Sequence, residues 1–260
     1  MRLMKRILGT VTVLALSVSL LAGCGSTAAS PVSSAASTAA ESTTSSSVVS
    51  ETTSAAADEN VAAAAQLLND LTGSYQELWP VILADEYKQT WLDDCTALVG
   101  EDNAEAAFEK LSSMVTGDVY GEDAVKAYAN GGGAYFCGFT NSLAILTFDG
   151  ETSTISGTDK DGNVLFSHTY HYIGMEPVRG LYEFQSDDAD SGEFTYFFLA
   201  PDTSAETYHI EFRYGSDAEA LSQYDTGEYA YWLASGISTD CDQTMIDNCI
   251  ELFCTENLAG

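Results

Sequence analysis

The sequence predicts an α+β fold in which an antiparallel β-barrel lies between N-terminal and C-terminal helices. Short runs rich in aromatic residues, Thr and Val follow one another between residues 134 and 214, with turn sequences such as Asp149-Gly150 and Asp161-Gly162 between them. On both sides of these runs, apolar residues recur at three- and four-residue steps, as they do along one face of a helix. Because consecutive strands with short links pair as neighbours, we expect a meander that closes into a barrel.

The N-terminal helical region has three predicted segments. Residues 60–82 carry apolar side chains at helical spacing, with Gly73 and Pro80 as the two weak points of the pattern. Residues 94–115 hold one or two further amphipathic segments, and residues 122–129 another short one.

The strands and the helices after them follow in order. The predicted strands are residues 134–139, 143–148, 152–157, 164–172, 180–185, 194–199 and 207–214. Residues 216–224 and 239–253 then return to the helical pattern. Ser238 or Thr239 is a suitable N-cap for the last helix.

Residues 1–23 are predicted to be a signal peptide. Arg2, Lys5 and Arg6 form a positive start, and the apolar run that follows is too short to be a dependable membrane span. The run ends in Leu21-Ala22-Gly23-Cys24, which is typical of a bacterial lipobox. We therefore expect export, cleavage before Cys24 and a lipid on its sulfur. That lipid would anchor the chain at the outer face of the bacterial cell membrane without spanning it.

A tether is predicted between the lipid and the folded part. Residues 24–58 are mostly Ser, Thr, Ala and Val, a composition that cannot bury a core and is typical of a disordered linker. Residues 59–260 have the right length for one domain. The sequence therefore divides into a signal peptide, a tether and one folded domain.

The chain is strongly acidic. It has 39 Asp and Glu against nine Lys and Arg, a formal net charge of −30, and three of the nine basic residues lie in the signal peptide. Nucleic acid is excluded as a partner because it needs a basic face, and the membrane is reached through the lipid anchor only. The excess negative charge either attracts cations or serves solubility alone.

The cysteines do not form a recognisable metal or redox motif. Those beyond Cys24 are Cys95, Cys137, Cys241, Cys249 and Cys254. An exported setting permits disulfides, but the odd number leaves at least one thiol unpaired, and no two have Cys-x-x-Cys spacing. Cys241 and Cys249 share a helical face and are interpreted as small buried hydrophobic residues.

Two of the three histidines lie on one predicted strand. His168 alternates with Phe166 and Tyr170 on an aromatic face that we expect to be packed in the core. His171 lies on the opposite face of the same strand. The two side chains therefore point to opposite sides of the sheet and cannot chelate one metal ion.

His209 is the candidate metal ligand. It shares one face of the predicted strand 207–214 with Thr207, Glu211 and Arg213, and this polar face either lines a barrel mouth or meets solvent. Zinc is usually held by at least three protein ligands, so one histidine needs helpers. The candidate helpers are Glu206, Glu211 and His171.

Signatures of catalysis are missing from the sequence. It contains no Gly-x-Ser-x-Gly nucleophile elbow, no His-Glu-x-x-His motif and no phosphate-binding loop. The triple glycine at residues 131–133 leads into a strand and not into a helix, so it is interpreted as a flexible joint. The chain is therefore not predicted to be an enzyme.

Several motifs of the folded part occur in the order found in a known family. LNDLTGSYQELWPVI from Leu68 resembles the family's Leu-, Gly- and Trp-containing start, and TYHYIG at 169–174 resembles its Tyr-x-Tyr-x-Gly strand. VRGLYEF at 178–184 and YAYWLASGIS at 229–238 resemble two later segments. From about residue 68 to 252 the chain is thus similar to the ZinT family of periplasmic or surface zinc-binding proteins. The resemblance implies a calycin-like (lipocalin-like) antiparallel β-barrel.

The resemblance also assigns positions to the family's metal ligands. The family binds its metal mainly through three histidines, one before an Ala-Pro that matches Ala200-Pro201 and two in a His-aromatic-His on the next strand. These positions are Phe197, Thr207 and His209 here, so only His209 carries over. The resemblance implies that the chain binds a divalent metal, zinc first, at a degenerate site. It also implies capture or delivery of that metal, with a metal transporter or surface protein as a candidate partner.

A second hypothesis belongs to a different functional class. A barrel that has lost its metal would bind a small ligand or a surface protein through its aromatic lining. Zinc titration of the chain beside a His209→Ala variant separates the two hypotheses, because only the first predicts binding that depends on His209.

Overall fold

A computed structural model of the chain describes residues 48–115 and 135–259. The predicted signal peptide, Cys24, residues 24–47 of the predicted tether and the predicted helix 122–129 lie outside this part of the chain. None of the described helices is long and apolar enough to cross a lipid bilayer.

The described elements are the strands that form the barrel and the helices that lie around it. The helices are α1 (Val48–Asp70), α2 (Leu78–Ile82), α3 (Lys88–Val99), α4 (Glu101–Val115), α5 (Ser204–Thr207), α6 (Ala218–Leu221) and α7 (Gln243–Leu258). The strands are β1 (Gly73–Glu77), β2 (Ile145–Asp149), β3 (Thr154–Thr158), β4 (Val164–Met175), β5 (Tyr182–Ser186), β6 (Tyr196–Leu199), β7 (Ile210–Gly215) and β8 (Ala234–Ser238). Helix α1 begins inside the segment predicted as the tether.

The eight strands close an antiparallel barrel in sequential order. Each strand pairs with the next one along the chain, and β8 pairs with β1 to complete the ring. Every pair is antiparallel. Short connections join the strands from β2 to β7, as antiparallel neighbours allow, whereas α2, α3 and α4 lie between β1 and β2. The predicted α+β class, a barrel with helices on both sides of it, is confirmed.

Strand β1 corrects the prediction of one helix over residues 60–82. After α1 ends, Gly73 adopts a φ of +144°, a conformation that glycine reaches without a steric cost. The following residues pair with β2 on one edge and with β8 on the other. Pairing on both edges satisfies the backbone of β1. It therefore prevails over the helical spacing of Leu71, Tyr75 and Leu78.

The last part of the barrel also differs from the prediction. Residues 134–139 were predicted as a strand, but within the described part Phe136 forms only an isolated bridge, to Trp232. Strand β8 was not predicted, because four of its five residues are buried and it lacks the alternation of a half-exposed strand. Helix α7 is capped by the side chain of Asp242, which accepts a hydrogen bond from Met245 N at 2.9 Å, and not by Ser238 or Thr239.

The barrel interior is filled by aromatic side chains. Fully buried rings within it include Phe148, Phe184, Phe197, Phe212 and Tyr214. An eight-stranded barrel is just wide enough for side chains to fill it. A second core lies outside the wall, where α2, α3, α4 and α7 pack together around Trp91 and against Ile237 of β8.

Candidate functional site

His209 lies at a turn immediately before β7. Helix α5 begins at a cap in which Glu206 Oε2 accepts hydrogen bonds from Thr203 N (3.1 Å) and Thr203 Oγ1 (3.3 Å). The helix ends at Tyr208, which takes a left-handed φ of +67° and turns the chain. Strand β7 therefore begins at Ile210, and the prediction that a single strand runs from Thr207 to Tyr214 is wrong at its start.

The ring of His209 is oriented by a backbone carbonyl. Its Nδ1 lies 2.7 Å from the carbonyl oxygen of Thr207. Because a carbonyl oxygen only accepts hydrogen bonds, Nδ1 carries the hydrogen and the lone pair of the neutral ring is on Nε2. This is the arrangement that fixes the tautomer of metal-binding histidines in proteins.

His209 lines a cavity between the barrel wall and the C-terminal helix. The cavity has a volume of about 220 Å³. Its lining residues are Leu78, Trp79, His209, Glu211, Cys249, Leu252, Phe253, Glu256 and Asn257. Besides the Trp79 indole and the Cys249 thiol, the polar groups of this lining are one imidazole, two carboxylates and one amide.

The carboxylates of the cavity lie in a partly desolvated, acidic environment. Burial raises the pKa of Glu256, nearby His209 lowers it, and Glu211 raises it further. Burial also raises the pKa of the Cys249 thiol to about 12, so Cys249 is protonated at neutral pH in the metal-free protein. Nitrogen and oxygen atoms are thus the donors that the cavity offers.

Of the three candidate helpers, the structure brings only Glu211 to the cavity that His209 lines. Glu206 is engaged in the cap of α5, and His171 Nδ1 donates a 2.6 Å hydrogen bond to Asp187 Oδ1 on the exposed side of β4. Among residues 48–115 and 135–259, no group of three or more His, Cys, Asp and Glu side chains is positioned to hold a metal ion.

One of the other ligand positions implied by the family resemblance, Phe197, lies away from His209. Phe197 pairs with Tyr214 across β6 and β7, and both rings are fully buried in the barrel. Glu211 lies between the buried Ile210 and Phe212 along β7, so alternation places its side chain on the outer side of the wall. Position 197 and the cavity are therefore on opposite sides of the barrel wall.

The outer face of β7 is covered to different extents along the strand, with Glu211 partly exposed and Arg213 buried. The helix α7 covers it beside Glu211. Further along, Arg213 is fully buried and its guanidinium donates to the backbone carbonyls of Leu221, Gln223 and Tyr229. Other segments of the chain thus cover the face at Arg213, while Glu211 keeps part of its surface exposed.

The two remaining histidines each pair with an aspartate. His168 Nδ1 lies 2.7 Å from Asp188 Oδ2, and its ring stacks on Phe166 with centroids 6.0 Å apart. His171 is on the opposite face of β4, with 52% of its side chain exposed. The predicted orientation of the pair is confirmed. Both aspartates belong to the exposed acidic turn that follows β5, so this turn orients the two histidine rings.

The cavity residues Glu256 and Asn257 could not be identified from the sequence. Both lie in the last turns of α7, far from His209 along the chain. Only the packing of α7 against the barrel wall brings them to the cavity. The periodicity of α7 predicts the helix but does not identify the strand on which it packs.

Comparison with known proteins finds similar solved structures at low sequence identity. The Zn(II)-bound ZinT-like domain of Streptococcus pneumoniae AdcA is 15% identical, with 71% of this chain and 89% of that domain covered and a TM-score of 0.45. Zn(II)-bound AdcA itself is 16% identical, with 74% of this chain covered and a TM-score of 0.41. The chain spans 35% of that longer AdcA structure. ZinT-like is also the resemblance that the sequence motifs predict.

No protein-family model matches the chain, and no curated protein matches it.

Proposed function

We propose that the chain is an exported lipoprotein that is anchored through Cys24. We also propose that its barrel domain binds a divalent metal ion, with zinc as the first candidate, for capture or delivery of that metal. The observation that carries the metal proposal is His209. Its Nδ1 is held by the Thr207 carbonyl, and the ring lines a cavity that also contains Glu211 and Glu256. The proposal agrees with the Zn(II)-bound state of the two AdcA structures.

The donor atoms of the cavity suit zinc, but they are not assembled around one point. Zinc accepts imidazole nitrogen and carboxylate oxygen in tetrahedral geometry. His209, Glu211 and Glu256 supply these atoms from β7 and α7. Since no ready-made cluster of three ligands exists among the described residues, binding requires the two carboxylates to turn toward His209. We therefore expect weaker binding than at a site with three histidines.

The electrostatics of the cavity favour a cation. Burial raises the free energy of the charged form of Glu256, and the nearby Glu211 raises it further. A divalent ion would relieve this repulsion. Because the pKa of Glu256 is raised, its protonation competes with the metal at a higher pH than for an exposed glutamate, and affinity falls as the pH falls.

Calorimetric titration of the full chain with zinc tests the proposal. We expect one-to-one binding in the micromolar range, with at least a tenfold loss of affinity in His209→Ala. His171→Ala is the matched control, because His171 is also bound through Nδ1 but lies on another face of the barrel. Absence of heat, or equal affinity in His209→Ala and the unmodified chain, would contradict metal binding at this cavity.

The lipid anchor has a separate test. Expression of the full chain in a bacterium should place it in the membrane fraction, with a diacylglyceryl group on Cys24 in the mass spectrum of the N-terminal peptide. Cys24→Ala should release the chain into the soluble or secreted fraction. Equal membrane recovery of both forms would contradict anchoring through Cys24.

A second cavity favours the alternative of a metal-independent binding module. It has a volume of about 290 Å³ and is lined by aromatic and acidic side chains, among them Tyr229, Trp232, Glu193 and Glu228. Because rings fill the barrel interior, a small ligand would bind at this rim cavity and not inside the barrel. Ligand binding that is lost in Trp232→Ala and unaffected by zinc or by His209→Ala would favour this function.

A further inference from the structure

Two buried thiols lie side by side where α3 packs on α7. Cys95 belongs to α3 and Cys254 to α7, and neither has any exposed surface. Their Sγ atoms are 3.9 Å apart. The pair is enclosed by the second core, in which the rings of Trp91 and Phe253 are in edge contact with centroids 5.8 Å apart.

The two sulfur atoms are in non-bonded contact at 3.9 Å, with no other side chain needed to bridge them. A disulfide requires the Sγ atoms to approach to about 2.05 Å, so the two atoms together need to move by about 2 Å. Rotation about the Cα–Cβ bonds moves each Sγ atom without moving the helix backbone. The two helices are already packed together, and residues 95 and 254 are 159 positions apart along the chain.

We propose that Cys95 and Cys254 form an intramolecular disulfide that links α3 to the C-terminal helix when the chain folds in the presence of an organic disulfide. One thiolate attacks the oxidant's sulfur–sulfur bond to give a mixed disulfide and release one thiol. The second thiolate then attacks the protein sulfur of that mixed disulfide and releases the second thiol. The protein loses two protons and two electrons, and the oxidant is reduced to two thiols.

The bond forms during folding and not after it. Burial raises the pKa of both thiols, and an oxidant has no access to a fully buried sulfur. The reaction therefore occurs while α7 is still separate from α3. Packing of the helices afterwards protects the bond from reductants.

The remaining cysteines have other environments. Cys137 Sγ donates to the carbonyl oxygen of Tyr135 at 3.5 Å, and Cys249 lines the cavity beside His209. One disulfide between Cys95 and Cys254 leaves the other three cysteines of the folded domain as thiols. It also holds the end of α7, which carries Glu256, to the body of the domain. This inference rests on the sulfur geometry and does not depend on metal binding.

Peptide mapping of the full chain tests the proposal. The chain is refolded in a mixture of reduced and oxidised glutathione, alkylated, and digested without reductant by a protease that cleaves after Glu. The cleavage pattern separates Cys95 (peptide 87–101) and Cys254 (252–256) from Cys137 (123–151), and leaves Cys241 and Cys249 together in peptide 229–251. We expect peptides 87–101 and 252–256 to be linked, at their summed mass less two hydrogen atoms.

Two controls make the result decisive. The linked species should persist in Cys249→Ser and disappear in Cys254→Ser. If Cys254→Ser does not fold, the unmodified chain still gives a test, because its oxidised form should melt about 5–15 °C above its reduced form. Recovery of both peptides as free thiols, linkage of either to a different cysteine, or equal melting temperatures of the two forms would overturn the proposal.

Discussion

Replacing Phe197 with Ala removes a ring from the centre of the barrel. The side chain has no exposed surface, and its ring contacts those of Tyr170 and Tyr214, both with centroids 5.4 Å away, and Phe166 at 5.8 Å. Deleting a fully buried phenyl group costs about 3–5 kcal/mol of unfolding free energy. For a domain of this size the melting temperature should fall by about 6–20 °C.

Phe197→His tests the same position with the residue that the family resemblance implies. An imidazole there would lie among aromatic rings with no polar partner, which costs about 1–3 kcal/mol beyond the apolar contact that is lost. It would not reach the cavity of His209, because the barrel wall separates the two positions. We therefore expect lower stability and unchanged zinc affinity.

Urea denaturation followed by tryptophan fluorescence measures the stability, and calorimetry measures the affinity. Phe197→Leu is the control, since it retains most of the apolar volume and should cost less than about 1.5 kcal/mol. The assignment of position 197 to the barrel interior would be refuted if Phe197→His bound zinc at least tenfold more tightly than the unmodified chain. A loss below about 1 kcal/mol in Phe197→Ala would also refute it.

Three further predictions concern the barrel and its covering segments. Arg213→Met removes the donor to the buried carbonyl groups of Leu221 and Tyr229 and should cost about 3 kcal/mol or more in urea denaturation, whereas a cost below about 1 kcal/mol would contradict a stabilising role for these hydrogen bonds. Gly150→Ala should cost about 1–3 kcal/mol, because the added carbon would lie 2.6 Å from the backbone nitrogen of Asn69 in α1, and an unchanged melting temperature would contradict this packing. Burial raises the pKa of Tyr214 from 10.0 to about 12, so the unfolded chain loses this proton first and stability should fall as the pH rises from about 10 to 12. A Tyr214→Phe variant, which lacks this proton, should lose less stability over that range, and an identical loss in both proteins would contradict the prediction.

The strands in the middle of the barrel could be predicted because their local pattern agrees with their tertiary environment. In β2 and β3 the inward residues are apolar and the residues between them are less buried, as a sheet with one packed face requires. Strand β1 could not be predicted in this way. Only Tyr75 of its five residues is buried, and the spacing of Tyr75 to the apolar residues around it is also that of a helix.

Two residues of the candidate site, His209 and Glu211, could be predicted from the sequence. The scarcity of histidine draws attention to His209, and strand alternation with Glu211 predicts that the two share a face. The left-handed turn at Tyr208 removes Thr207 from that face, and the cap of α5 holds Glu206 away from it. Both differences are caused by the short helix α5. The alternating pattern of residues 207–214 predicts a strand there and gives no sign of this helix.

The pairing of His168 and His171 with aspartates could not be predicted from the sequence either. Asp187 and Asp188 look like a solvated turn in the sequence, since nothing in the turn itself indicates a partner. Pairing of β4 with β5 brings the turn to the two histidines of β4. The partner of an abundant residue type such as aspartate is fixed by strand register, which one sequence does not contain.

Anomalous diffraction at the zinc absorption edge, from crystals of the chain grown with zinc, tests the central claim most directly. We expect a zinc peak about 2.0–2.1 Å from His209 Nε2, in the cavity between β7 and α7. A carboxylate oxygen of Glu211 or Glu256 should lie about 2.0–2.2 Å from the same peak. A peak inside the barrel near Phe197, or a peak at the His168 or His171 pairs with none at His209, would contradict the claim.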